Sequence, residues 1–151
     1  MRTPACVLMV GLILVAGPAV AACGKKEEGP TVVQAEQTLK SHVDQLLKDA
    51  IVENVRVSDS GGKDIPCGHR RAERTYAVTA DKKDSPALSP VELSRRVLGS
   101  VDNLGGYKTT YLKGGDPVTK LHNGTARTNL TLRVPAKGKV EIYGSTDCLH
   151  T

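Results

Sequence analysis

The sequence predicts an α+β domain in which two helices pack on one face of an antiparallel sheet, in the order αββαββββ, as two αββ-like halves. Three observations carry the prediction. Apolar residues fall at helical spacing in two stretches, 31–50 and 89–104. Alternation with period two marks the segments between and after them, and turn-forming residues punctuate the later runs.

The first helix starts at Thr31, which forms a capping-box pattern with Gln34 behind Pro30; its buried stripe is Val32, Ala35, Leu39, Val43, Leu46, Leu47 and Ala50. Glu36 with Lys40, and Asp44 with Lys48, are acid-then-base pairs four residues apart, which read as a solvated outer face. His42 falls between the two sides and reads as a surface histidine. Residues 51–58 offer Val52, Val55 and Val57 as a strand ending in the loop DSGGKDIPCG. Arg70 to Ala80 then alternates, with Arg74, Tyr76, Val78 and Ala80 on one face and Glu73, Thr75, Ala77 and Thr79 on the other.

The polar segment DKKDSPALSP leads into the second helix, with Ser89 as N-cap, Pro90 at the first helical position and Glu92 completing the capping box. Leu93, Val97, Leu98, Val101 and Leu104 supply its buried stripe, and Gly105-Gly106 ends it. Four runs follow: YKTTYLK, VTKLH, TARTNLTLRV and VEIYG. GGDP, Asn123-Gly124 and PAKGK separate them, and Asn-Gly between two alternating runs predicts a hairpin.

Composition narrows the function classes. The chain has no Phe or Trp and only four Tyr, so its core must come from Val, Leu, Ile and Ala. It is poor in the aromatic platforms on which single-stranded nucleic acids stack, and its net charge of +5 is modest for a nucleic-acid binder. No nucleic-acid partner is expected.

The N-terminus points to export. VLMVGLILVA at 7–16 follows Arg2 and spans about half of the ~30 Å hydrocarbon core of a bilayer, a signal segment rather than a stable span. Gly17-Pro18 breaks it, and the small residues of Val20-Ala21-Ala22 then lead to Cys23 and the charged stretch GKKEEGP. The run VAAC resembles a lipobox, and the signal and the usage of Val, Thr, Gly and Arg resemble exported lipoproteins of high-GC Gram-positive (actinobacterial) bacteria. The resemblance implies diacylglycerol on the Cys23 sulfur, cleavage before it and acylation of the new amino group, including fatty chains such as palmitate. The chain then divides into a lipoprotein signal peptide (1–22), a lipidated Cys23 with a flexible tether (23–30) and one α+β domain (31–151), anchored extracytoplasmically to the cell membrane. Ordinary cleavage after Ala21 is the rival, but it leaves three cysteines, whereas lipidation of Cys23 leaves Cys67 and Cys148 as an even pair.

In an exported domain that pair is expected to form a disulfide. Cys67-Gly68-His69 and Cys148-Leu149-His150 could alternatively make a Cys2His2 zinc set, although a one-residue gap is tighter than usual. No metal or other cofactor is expected. The cluster His69, Arg70, Arg71 and Arg74, with Arg95 and Arg96 on the second helix, is a possible anion-binding site, because guanidinium groups grip phosphate and carboxylate bidentately. The competing reading is a solvated strand start. Ser60-Gly61-Gly62-Lys63 has the Ser-x-x-Lys spacing of penicillin-recognising enzymes, and Lys113-Gly114-Gly115 loosely echoes a second element of theirs. There, however, the serine opens a helix in a far larger domain. Asp59, Asp64, Asp81 and Asp84 lie in turn-rich segments without calcium-loop spacing and read as solvated.

These features favour a membrane-anchored lipoprotein serving as a non-catalytic binding module for an envelope protein, another envelope component or a small ligand. A small hydrolase-like surface enzyme and a Cys/His metal-binding module are the alternatives.

Overall fold

The computed structural model describes residues 29–82, 88–111 and 118–151. The signal segment, Cys23, most of the tether, Asp84 and Lys113-Gly114-Gly115 lie outside the described residues.

Helix α1 spans Val32–Asp49 and α2 spans Pro90–Val101. Both begin with the expected capping boxes: Thr31 with Gln34, and Ser89 with Glu92, each side chain exchanging hydrogen bonds with the other residue's backbone. A 3-10 turn over Asp102–Leu104 extends α2, and Gly105 and Gly106, both at positive φ, close it.

The strands are β1 (Glu53–Asp59), β2 (Ile65–Gly68), β3 (Arg71–Glu73), β4 (Thr75–Asp81), β5 (Tyr107–Tyr111), β6 (Val118–Asn123), β7 (Thr128–Arg133), β8 (Lys139–Thr146) and β9 (Leu149–His150). Six form an antiparallel sheet in the order β1-β4-β8-β7-β6-β5, and β2-β3-β9 form a small second sheet. The α+β class and the two helices on one antiparallel face are as predicted. The main sheet takes its strands two from before α2 and four from after it, as in αββαββββ.

The small sheet was not predicted. Ile65–Gly68 carries a Pro and a Gly, which reads as loop, and Leu149–His150 is too short for an alternation signal. The run from Arg70 to Ala80 also divides at Arg74, so β3 pairs with β2 and β9 while β4 enters the main sheet. Within β4 the predicted faces hold: Tyr76, Val78 and Ala80 are buried, and Thr75, Ala77 and Thr79 are half-buried.

Asn123-Gly124 does mark a hairpin, but not a two-residue one. Asn123 pairs with Thr128 across a four-residue connection, and Asn123 Oδ1 accepts from the amides of Thr125 (3.1 Å) and Ala126 (2.9 Å). The positive φ falls on Arg127 rather than Gly124. Asparagine acts here through its side-chain carbonyl, as in an Asx turn.

One face of the sheet carries the core. Val78, Ile142 and Leu132 lie across β4, β8 and β7, and Leu121 and Leu130 continue it, beneath Leu39, Val43 and Leu46 of α1 and Leu93, Val97 and Val101 of α2. A second cluster joins Val32 and Ala35 of α1 to Ala72 of β3 and Leu149 of β9. Thus the small sheet is held against the N-terminal end of α1, where the chain arrives from residues 23–30. No helix among the described residues is long and apolar enough to cross a membrane.

Candidate functional site

The small sheet is stapled by Cys67 and Cys148, whose sulfurs lie at disulfide distance (2.06 Å) with Cα atoms 5.9 Å apart. Cys67 is on β2 and Cys148 immediately precedes β9, so the bridge fixes the two outer strands around β3. In that frame Arg71 is directly opposite His150, and Ala72 is opposite Leu149. Successive residues of a strand point to opposite faces, so burying Ala72 and Leu149 against α1 turns Arg71 and His150 together to the other side. Arg71 Nε lies 3.4 Å from His150 Nε2.

A third basic group arrives from the β6–β7 connection. Arg127 Nε donates to Asp147 Oδ2 at 2.7 Å, and the Asp147 amide donates to the Arg127 carbonyl at 2.8 Å. Asp147 Oδ1 accepts from Asn129 Nδ2 at 3.0 Å and lies 3.6 Å from His122 Nε2. Burial by itself raises the Asp147 pKa, and the bonds from Arg127 and Asn129 outweigh it, leaving the carboxyl below its ordinary value. Asp147 therefore stays ionised and positions Arg127.

Arg71, Arg127 and His150 line a cavity of about 270 Å³, whose wall is completed by the bridge at Cys148 and by Gly29, Pro30 and Thr31. It is an open, basic recess at the start of α1, where the helix dipole also presents its positive end. Two guanidinium groups can offer a small oxyanion charge-assisted hydrogen bonds, with the His150 imidazole beside them.

The predicted cluster divides. Arg71 lines the cavity. Arg70 sits at φ 53 in the β2–β3 turn, its carbonyl accepting from the Thr151 amide at 3.3 Å, and His69 is exposed in the same turn. Arg74 is committed elsewhere: Nη1 donates to Glu36 Oε2 at 2.7 Å and Nε to Asp64 Oδ1 at 2.6 Å. Arg95 and Arg96 are exposed on α2 and do not line the cavity. Sequence spacing does not single out Arg127 or Asp147, and it offers His150 only as a zinc ligand. Arg127 is the one charged residue in the turn after β6, and nothing local tells that it lies beside residues 147–150.

Arg74 belongs to a separate network. Glu36, expected on a solvated face, is only 4 % exposed and accepts from Lys40 (2.8 Å), Arg74 and the Gly62 amide (2.6 Å). Asp59 accepts from the Gly61 amide (2.9 Å) and the Thr75 hydroxyl (2.5 Å). The loop Ser60–Lys63 is thereby pinned by backbone amides as the link from β1 to β2. Gly61 lies at φ +73, and an added Cβ would collide with Glu36 Oε1 and lie 2.8 Å from the Thr75 carbonyl.

His42 is not a plain surface histidine either. Its Nδ1 lies 3.0 Å from the Tyr107 hydroxyl, which is 2.9 Å from Thr128 Oγ1, a chain joining α1, β5 and β7. Asp64 and Asp81 are also paired, with Arg74 and with Lys139. Among the described residues no group of three or more His, Cys, Asp or Glu side chains could hold a metal ion, and the bridge uses both sulfurs a zinc set would need.

Comparison with protein-family models, with curated proteins and with solved structures finds no match.

Proposed function

We propose that this chain is an exported bacterial lipoprotein, cleaved before Cys23 and anchored through acyl chains on that residue, whose domain is a non-catalytic binding module for an anionic group. Support for the anchor is the order of the N-terminal sequence: apolar run, breaker, small residues, Cys23 and a charged tether. Two or three acyl chains hold a protein durably because each buried methylene contributes ~0.8 kcal/mol.

The observation that carries the binding reading is the convergence of Arg71, Arg127 and His150, from three separate parts of the chain, on one open cavity. Arg127 is positioned by Asp147 and Arg71 lies against His150, and all three side chains line the same cavity, whereas the network around Glu36 fixes a loop.

Two measurements test the reading. Acyl mass on the mature N-terminus, lost with cleavage in Cys23→Ser, is expected; an acylated Cys23→Ser chain would overturn the anchor. Inorganic phosphate at about ten times its dissociation constant should stabilise the mature protein by ~1.4 kcal/mol, raising Tm by about 4 °C. Equal stabilisation of an Arg71→Gln/Arg127→Gln variant would remove the site.

A further inference from the structure

We infer that the cavity takes the phosphate of an anionic phospholipid headgroup from the membrane that anchors the chain, giving the domain a second, oriented point of attachment. The inference rests on the lipoprotein reading above and names the ligand of that same site.

Distance is the first argument. The cavity wall includes Gly29, Pro30 and Thr31, and only six residue steps separate Gly29 from Cys23. Fully extended, they reach at most ~20–22 Å, so the recess is always within that distance of the acylated sulfur. Helix α1, 18 residues long, runs about 27 Å from this end to its other end at Asp49. The cavity therefore lies at the pole of the domain next to the tether, which is short enough to bring it to the membrane surface.

Chemistry is the second. Besides Arg71, Arg127 and His150, the same pole carries exposed His69 and Arg70 in the β2–β3 turn. Arg127 keeps Asp147 on one edge, so the site is not a bare patch of charge but a recess with one guanidinium held in place by a carboxylate. Planar guanidinium donors match the oxygens of a phosphate diester.

Concentration is the third. A short flexible tether holds a bound module and its target at effective concentrations on the order of millimolar. A site far too weak to retain free phosphate from dilute solution is then still occupied by headgroups.

The test uses mature, lipidated protein in nanodiscs of phosphatidylcholine with or without phosphatidylglycerol, following the rate at which phenylglyoxal modifies each arginine. Arg133 on β7 is the internal reference, because it lies outside the cavity. Phosphatidylglycerol should slow modification of Arg71 and Arg127 by about tenfold, the change expected when roughly nine sites in ten are filled. Arg133 should be unaffected, and Arg71→Gln should abolish the protection of Arg127. Lengthening the tether with a flexible Gly/Ser insert after Gly24 should weaken the protection, because effective concentration falls as the linker grows. Equal slowing at Arg133 would mean general surface attraction and would overturn the inference. Protection by inorganic phosphate in phosphatidylcholine discs, with none from phosphatidylglycerol, would overturn the lipid assignment and leave the anion site standing. Protection by neither would remove both.

Discussion

The guanidinium of Arg74 reaches from the break between β3 and β4 to Glu36 on α1, 2.7 Å away, and its Nε holds Asp64 at 2.6 Å. One side chain thus joins the first helix, the Ser60–Asp64 loop and the point where the chain passes from the small sheet to the main one. Removing one partner of a buried ion pair is costly because the other charge is stranded, typically by ~3–5 kcal/mol. Glu36 is the more consequential partner, since Lys40 and the Gly62 amide also depend on it. Glu36→Ala should therefore cost about 3 kcal/mol in urea unfolding. Arg74→Ala should cost less, because Glu36 keeps its other two donors. The reverse ranking would refute this account of the network.

Acid should unfold the domain through two successive windows. The His42 pKa is lowered by burial, so the unfolded chain takes up the proton first. Stability should begin to fall as pH drops through the ordinary value of 6.5, and Tyr107→Phe should alter that part of the curve by removing the hydroxyl beside Nδ1. The carboxylates follow. Burial by itself raises the Glu36 pKa, but the bonds from Lys40, Arg74 and Gly62 outweigh it; Asp59 is lowered chiefly by the Thr75 hydroxyl and the Gly61 amide. With folded values below the ordinary 4.5 and 3.8, their stabilisation is complete above those values and is lost as pH falls through the folded ones. Denaturant midpoints measured from pH 8 to pH 3 check both windows. In Glu36→Gln the lower one should be shallower.

The elements written in local code were legible in the sequence. Thr31, Ser89 and their partners three residues on announce both helix starts, and the alternation around Tyr76, Val78 and Ala80 gives the inner face of β4. What sequence spacing missed depends on partners far along the chain. Glu36 falls at an outward-looking position beside the apolar stripe, and only Arg74 and the Gly62 amide, brought over it by the fold, bury it. Arg127 and Arg71 are 56 positions apart and meet because Asp147 holds one while His150 pairs with the other. The even cysteine count points to the bridge between Cys67 and Cys148, but it does not reveal that Cys148 lines a cavity.

Gly144 shows where packing rather than turn geometry demands glycine. It lies on β8 under α1, and a Cβ there would stand 2.7 Å from Leu39 Cδ1. Gly144→Ala should destabilise by about 1–3 kcal/mol, the usual range for overpacking. Leu39→Ala creates a cavity of its own but also clears that methyl. A double-mutant cycle should therefore show favourable coupling, with the pair costing less than the sum of its single changes. Strict additivity would mean that the helix shifts away at no cost and that the close approach is unimportant.

Ile51 offers the opposite opportunity. It follows the C-cap Ala50 with φ 52, its amide donating to the Lys48 carbonyl (3.1 Å) while the Val52 amide donates to that of Leu47 (3.4 Å). This is the paired bonding of a Schellman motif, whose left-handed residue is usually glycine. A β-branched side chain there bears the left-handed cost of ~1–2 kcal/mol, and Ile51 regains little by burial because it is 74 % exposed. Ile51→Gly should therefore stabilise the domain by about 0.5–1 kcal/mol, the added freedom of glycine in the unfolded chain offsetting the remainder. Ile51→Ala keeps a Cβ at the same φ and should gain much less. Thermal unfolding of the two variants separates the contributions. If glycine destabilises while alanine is neutral, the isoleucine side chain is making contacts that stabilise this helix end, and the strain argument fails.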